Sequence, residues 1–570
     1  MLDFGRRETW GFDNLDFSVP VASYVLRSHY VCLLRGWEKG EHMKRRPRGW
    51  RFGAMATLAL LVGVVAGAGV GQSALGGSRQ SDTLVDGTTD SITNIDPAGN
   101  YDYGTFTLDS NVFEHLLDFR HGSKLEPSLA TKCFSVGGLT TWRCNLRKGV
   151  TFSDGSAFDS ADVKFTFDRV TNKKVVKEAA ANTPSSLLGN LKSVATNGKY
   201  AVTFRLKSPQ VTWPSILASQ VGFIVPSDTY APDKLRGNTE SQVGTGPYKL
   251  TKYSPGQQAV FTRNESYWGT PAKTDNLIIR YFTKSSTMKL AIQRGEIDMS
   301  YQSFTPTEIT SLQKQSGLRV YNGPGGRIRY LTMNVTRAPA DNLAVRRAVA
   351  YLMPRSSIAS RVYHGQVKPL YSMVPSGYPG HIDAFAAVYG RSPNPAKAKQ
   401  VLQQAGLDTP LPIEIWWTPT HYGDASADEY AEIKRSLERS GVFDVTLKSS
   451  EWAQYSSVLG NQYNIFQLGW FPDYPDAENY LVPFYRSDTF TANGYKNPKM
   501  EALIKKELGS KTLAERIRVI KQIQLLAARD VPIVPYWQQS MLAVGRNNVR
   551  GIQSTLDPTV ILRFWQLSKS

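Results

Sequence analysis

Cysteine is nearly absent from this 570-residue chain, which has three: Cys32, Cys133 and Cys144. So few thiols cannot staple a fold of this length, and they supply too few ligands for a zinc site. Histidine is sparse as well, seven in all. His115, His121, His364, His381 and His421 show no H-E-x-x-H or similar metal spacing. There is no G-x-S-x-G elbow and no Walker-type loop, because Gly323-Pro324-Gly325-Gly326 lacks the Lys-Ser/Thr that phosphate binding requires. Asp154 and Asp298 stand in loop-like, Gly-flanked settings and read as turn carboxylates rather than an acid/base pair. Nothing here supports catalysis, a metal or a cofactor. Internal repeats, low-complexity tracts and arginine-rich runs are missing too. The net charge of +19 is therefore spread along the chain. Without a basic stripe or a binding module, nucleic acid is not an expected partner. A solvated basic surface, or attraction to anionic wall polymers or membrane, accounts for the excess.

What is present describes a large globular protein. Hydrophobic residues make up 41% and charged residues 20%, and the length exceeds what one core supports, so at least two lobes are expected. Aromatics reach 11%, ample for a cleft that stacks on ligands. The basic run Met43-Lys44-Arg45-Arg46-Pro47-Arg48-Gly49-Trp50-Arg51, followed by the uncharged stretch from Phe52 to Val70, reads as the basic and apolar regions of an export signal. Residues 1–42 precede it, so Met43 is the expected start. Ala66-Gly67-Ala68 and Gln72-Ser73-Ala74 are candidate cleavage sites. Left uncleaved, 52–70 is long enough to span a bilayer. No lipoprotein Cys follows it.

Cys133 and Cys144 flank a segment containing Gly137-Gly138, which reads as a hairpin with a Gly-Gly turn. In an exported protein the natural reading is a cross-hairpin disulfide, and two buried thiols are the alternative.

The segment Leu468-Gly469-Trp470-Phe471-Pro472-Asp473-Tyr474-Pro475-Asp476-Ala477-Glu478-Asn479-Tyr480 says most about function. Tyr463 to Leu468 reads as a buried strand. Pro472 and Pro475 stop regular structure, and Asp476 can cap a following helix. Asp473 then sits in a strand–loop–helix unit at a carboxyl end, where open α/β sheets place ligands. A carboxylate beside the aromatics Trp470 and Phe471, with extended backbone at Gly469 and Phe471, suits capture of a free peptide by its amino terminus and by strand addition. An Asx turn between two prolines is the alternative. Trp416 and Trp417 sit on a predicted strand, so one faces the core and the other is a cleft candidate, with core packing the favoured reading. Tyr101, Tyr103 and Trp452 are further cleft candidates.

Other motifs run in a fixed order: Leu125-Glu126-Pro127-Ser128-Leu129-Ala130, Trp142 to Gly155, Asp159-Ser160-Ala161-Asp162-Val163-Lys164-Phe165, Val243-Gly244-Thr245-Gly246-Pro247-Tyr248, Arg263-Asn264-Glu265-Ser266-Tyr267-Trp268-Gly269, Gly295-Glu296-Ile297-Asp298 and Val345-Arg346-Arg347-Ala348-Val349-Ala350-Tyr351. From about Leu84 to the C terminus the chain resembles the family 5 extracellular solute-binding proteins, the oligopeptide, dipeptide and nickel receptors of ABC importers. The resemblance implies a two-lobe, periplasmic-binding-protein-like α/β fold with an extra subdomain and a hinge. The expected layout is a dispensable 1–42, a signal and tether over 43–80, lobe I over 81–110, 207–330 and 540–570, the extra subdomain over 111–206, and lobe II over 331–539.

The resemblance implies a non-enzymatic, exported, monomeric receptor on the extracytoplasmic face of the membrane, in the periplasmic or cell-wall space. It would deliver short peptides to the permease subunits of an ABC transporter, with Asp473, Gly469, Trp470, Phe471, Trp417 and Tyr101 as candidate ligand contacts. The alternatives are the same fold holding a nickel chelate, haem or a sugar-like compound, and, from another class, a secreted hydrolase of peptides or cell wall. Export is expected from a chain beginning at Met43 as efficiently as from the full chain. Fractionation showing both retained inside the cell would contradict the signal assignment.

Overall fold

In the computed structural model, residues 82–570 are described, apart from Ser123, Ala181, Asn182 and Thr420. The expectations for the export signal and for Met43 lie outside these residues. Among the described residues no helix is long and apolar enough to cross a membrane.

The described residues build two large sheets, a smaller antiparallel one and two two-stranded ribbons. The first large sheet has seven strands, in the order Leu318–Gly323, Met541–Arg546, Met299–Tyr301, Thr83–Thr88, Asn276–Tyr281, Gln258–Arg263 and Tyr248–Ser254. Thr83–Thr88 pairs in parallel with Asn276–Tyr281 along its whole length, and Leu84, Leu277, Ile279 and Phe261 meet in the core beneath them. The motif Val243-Gly244-Thr245-Gly246 sits against the end of helix Tyr103–Val112. A Cβ on Gly246 would come within 2.7 Å of the Val112 carbonyl, whose oxygen accepts from Gly246 N at 2.9 Å. Only glycine permits that approach.

The smaller sheet runs Ala130–Ser135, Thr141–Leu146, Ala201–Leu206, Leu191–Thr196. Helix Ser160–Val170 covers it, placing Phe167 edge-on against Phe204 at 5.0 Å. The cap of that helix is Asp159, in a reciprocal capping box with Asp162, rather than the neighbouring Ser160. The hairpin forms as expected: Gly137 and Gly138 take positive φ, and Cys133 lies directly opposite Cys144 with Cα atoms 4.1 Å apart and a disulfide between them. That spacing belongs to the close, non-hydrogen-bonded kind of antiparallel pair, where a bridge fits.

The second large sheet has six strands, in the order Val367–Pro369, Ile533–Gln539, Ile328–Met333, Ile465–Trp470, Leu411–Trp417 and Phe443–Ser449. Its centre is buried on both faces by helices, which is why Ile328–Met333 and Ile533–Gln539 are wholly buried apart from Gln539. The chain passes between the two large sheets at Pro324–Arg327 and again at Ser540. These crossings touch: Gln539 N donates to Arg327 O at 2.8 Å, and a Cβ on Gly325 would meet Gln539 O at 2.3 Å. Paired crossings of this kind make a hinge between two lobes.

Alkylation of the denatured, unreduced protein is expected to label neither Cys133 nor Cys144, and full labelling of both would refute the bridge. Replacing both by serine should cost about 3 kcal/mol by the chain-entropy model for so short a loop, read from urea midpoints.

Candidate functional site in the cleft between the lobes

Pro472 ends strand Ile465–Trp470, and the loop beyond is held by one side chain. Asn479 Oδ1 accepts from Asp473 N and from Trp470 Nε1, each at 2.9 Å, while its Nδ2 donates to Asp473 Oδ2 at 2.8 Å. Asn479 belongs to the 3-10 turn Ala477–Tyr480. Asp476 caps that turn by accepting from Glu478 N at 2.8 Å. Arg516, from helix Leu513–Asp530, anchors the cap by pairing with Asp476 at 2.8 Å and with Glu507 at 2.6 Å.

Asp473 is part-buried, and its second oxygen accepts from Tyr101 Oη across the cleft. Desolvation holds its carboxyl above the usual range, against the hydrogen bonds from Asn479 and Tyr101. Next to this bond, Tyr103 stacks on Phe471 with centroids 5.8 Å apart, and the Arg327 guanidinium lies 4.2 Å from the Phe471 ring centre. Tyr101 and Tyr103 come from the first lobe, Phe471 and Asp473 from the second, so this conformation is closed.

The other candidates fall differently. Trp470 packs edge-on against Phe484 and stacks with Phe490 inside the second lobe. Trp417 stacks on Tyr430 at 5.8 Å, and Trp416 on Tyr463 at 4.4 Å, so both rings pack within that lobe. Gly469 pairs with Arg329 across the ladder, and its N–H donates to Tyr422 Oη at 2.9 Å. The structure thus gathers Tyr101, Phe471 and Asp473 at one place, with Gly469 on the strand leading to them.

Sequence reasoning missed the cationic neighbourhood of Gly469. Arg329 is 1% exposed, lies 3.7 Å from the Tyr422 ring centre and 4.9 Å from that of Trp537, and its Nε and Nη1 have no hydrogen-bond partner among the described residues. Behind Trp537, the buried Glu429 accepts from Trp537 Nε1 and Tyr363 Oη at 2.7 Å, from Tyr536 Oη at 2.5 Å and from Gln467 Nε2 at 3.2 Å. Burial, then the charge of Arg329, pushes the Arg327 guanidinium down to about 10. His421, stacked on Trp452 at 3.7 Å, is held below the ordinary histidine range by desolvation and then by Arg329 and Arg327. The available signal was the pair Arg327 and Arg329 at the head of the mostly apolar run Tyr330 to Met333.

Comparison with known proteins places the chain. Residues 124–492 match bacterial extracellular solute-binding proteins, family 5 Middle. The chain belongs to this family. It is 27% identical to di/tripeptide-binding protein 3 of Pseudomonas aeruginosa, over 80% of this chain and 90% of that one. Among solved structures, the DppA protein of Helicobacter pylori in complex with the peptide STSA superposes with a TM-score of 0.71 at 23% identity, covering 86% of this chain and 98% of that one. NikZ of Campylobacter jejuni in complex with Ni(L-His) superposes with 0.70 at 20% identity, over 86% and 100%. The two-lobe family 5 fold is therefore this chain's fold. The family's members are transport receptors outside the cytoplasm, and these relatives are binding proteins.

The loop that holds Asp473 rests on buried acids. Burial, and then the charge of Glu507, raises Glu478 to about 8, and burial raises Glu507 to about 7. An unfolded glutamate titrates near about 4.3. Because the folded pKa of Glu478 is the higher one, its contribution to stability is fully present below about pH 4.3 and is lost as pH rises through about 8. The unfolding free energy read from urea denaturation should fall by a few kcal/mol between pH 5 and 8.5 for the wild type and clearly less for Glu478→Gln. Equal slopes would show that Glu478 does not titrate in this window.

Proposed function

We propose that this protein is the extracytoplasmic substrate-binding component of an ABC importer, that it captures short peptides in the interlobe cleft, and that it hands them as a monomer to membrane permease subunits. One observation carries the reading. Asp473 is a part-buried carboxylate fixed by Asn479, and it turns its remaining oxygen toward the opposite lobe, where Tyr101 now donates to it. A peptide ammonium in place of that hydroxyl would add a charge-assisted bond where closure excludes water. The peptide named with the H. pylori structure and the di/tripeptides named for the Pseudomonas relative support the same ligand class. The paired crossings between the lobes support hinge closure as the means of capture.

Native mass spectrometry of the purified protein should show co-purifying or added short peptides retained intact; turnover of the peptides would favour a hydrolase instead. With a retained peptide, Asp473→Ala should weaken binding a hundred- to few-thousand-fold, corresponding to about 3–5 kcal/mol for stranding the ligand's ammonium. The fold should persist by circular dichroism, because Asp473 lies in a loop rather than in the core. Binding to wild type should also fall on acidification, as protonation removes the carboxylate, and should do so at a higher pH than for an ordinary aspartate. Unchanged affinity in a folded Asp473→Ala variant would return Asp473 to a turn-forming role.

A further inference from the structure

We infer that the open face of the small four-stranded sheet docks on an anionic lipid bilayer, with Lys132, Arg143 and Arg205 meeting the lipid phosphates and Val136, at the tip of the hairpin, entering the headgroup layer. This contact is separate from the cleft and holds whatever ligand the cleft takes.

The charge of the chain is less evenly spread than its sequence suggests. From Ala130 to Lys207 there are 13 Lys and Arg against 5 Asp and Glu, and the two signs lie in different layers. Asp162 and Asp168 are on helix Ser160–Val170, which covers one face of the sheet, with Asp159 as its cap. Glu178 is on helix Lys173–Glu178, and Asp154 is in the turn before both helices, where it accepts from Ser156 N at 2.9 Å. The four strands hold Lys132, Arg143, Lys192 and Arg205 and no acid. No run of basic residues marks them, because strand pairing rather than sequence adjacency brings them together.

The register turns three of them away from the helix. Trp142, Phe204 and Val194 lie side by side and buried, and Phe204 meets Phe167 of the helix. Successive residues of a strand point to opposite faces. Arg143, between buried Trp142 and Cys144, and Arg205, between buried Phe204 and Leu206, therefore stand on the other face, and both are exposed. Phe134 lies directly opposite Arg143, and Lys132 Nζ is 5.5 Å from the Phe134 ring centre, so Lys132 shares that face. The ion pairs of this part of the chain are made by helix residues, Lys164 with Asp168, Arg169 with Asp96 and Lys174 with Asp233. Lys132, Arg143 and Arg205 form none among the described residues. An acid-free sheet face with unpaired cations complements a negative surface.

The hairpin tip favours lipid over a soluble polyanion. Val136 continues the row of Lys132 and Phe134, bonds through its N–H to Thr141 O at 2.8 Å, and is 46% exposed. A Cβ on Gly137 or Gly138 would meet nothing within 4 Å, so the tip stands clear of the rest of the protein. The bridge between Cys133 and Cys144 ties the two strands together behind it. A hydrophilic polymer would use only the charges, whereas the bilayer interface also rewards an apolar tip flanked by cations. Screening limits the attraction to about 8 Å at physiological salt, so the cations on the face itself dominate.

Co-sedimentation of the exported protein with vesicles of equal parts phosphatidylglycerol and phosphatidylcholine should show binding that added salt weakens and that phosphatidylcholine alone does not support. Attachment through residues 52–70 would ignore headgroup charge. Lys132→Gln, Arg143→Gln and Arg205→Gln together should weaken binding about a hundredfold, and Val136→Ser severalfold, with melting temperatures unchanged. Each single Gln variant should lose severalfold, which keeps the test open if the triple variant folds poorly. Lys164→Gln, Lys173→Gln and Lys177→Gln remove the same charge from the helical side and should change binding little. Equal losses from the two triple variants would show that net charge alone acts and would overturn the docking face. Equal binding to both kinds of vesicle, or to neither, would overturn it as well. Retention of soluble poly(glycerol phosphate) without vesicle binding would assign the face to a wall polymer instead, and an unchanged Val136→Ser would overturn insertion of the tip.

Discussion

The antiparallel pairing of Ile328–Met333 with Ile465–Trp470 sets everything else at the cleft. The first strand begins where the chain leaves the hinge, and the second ends where the Asp473 loop begins. Their register places Arg329 opposite Gly469 and Ile328 opposite Trp470. A slip of one residue would turn each side chain to the other face of the sheet. It would bury a bulky apolar group where Gly469 leaves space and would swing both arginines away from Phe471 and Tyr422. Central strands buried on both faces resist such a slip, because every neighbour would lose its packing.

Charge in this lobe is arranged economically. Glu429 receives four donors and needs no direct cation, Arg516 is met by two carboxylates, and Asn479 serves Asp473 and Trp470 at once. Arg329 differs in leaving two donors, Nε and Nη1, without a partner among the described residues, where Arg355 and Arg563 each leave one. Buried polar groups are costly when unserved, so an exception at a cleft is more informative than another satisfied pair.

Much of this was legible in the chain. The run of motifs from Leu125 to Tyr480 carried the family and with it the two-lobe fold, and the Gly137-Gly138 turn with cysteines on either side carried the hairpin and its bridge. The sequence predicts a helix over Pro395–Ala405, a strand over Ile413–Trp417 and a helix over Asp428–Ser440, with Gly406 and Gly441 as stops, and the structure has them at Pro395–Gln404, Leu411–Trp417 and Ala425–Arg439. The facing of Trp417 and Trp470 was not legible. Period-two alternation tells which residues share a face, but when helices cover both faces neither is solvent or cleft by default. Arg329 and Glu429 were missed for a related reason: their interest lies in which donors go unmet, and that depends on partners more than a hundred residues apart in sequence, as with the bond from Trp537 to Glu429. The sequence predicts a helix capped at Ser160, but Asp159 is the cap, because its reciprocal bond with Asp162 satisfies two backbone donors together.

The closed conformation has contacts of its own. Besides the bond from Tyr101 to Asp473, Val211 N donates to Leu508 O at 2.9 Å, Gln366 Nε2 to Pro306 O at 2.9 Å, and Tyr378 Oη to Pro558 O at 3.3 Å, each joining residues on opposite sides of the cleft. If Asp473 takes a ligand's ammonium as proposed, the phenol of Tyr101 would be its resident competitor for the carboxylate. A neutral hydroxyl or amide entering there would exchange one hydrogen bond for another of similar strength and gain little. A cation would replace a neutral donor with a charged one, which is worth roughly twice as much. On the proposed reading the latch would work as a filter: it would raise the threshold for every visitor by the same amount, and uncharged ones would have the least with which to clear it.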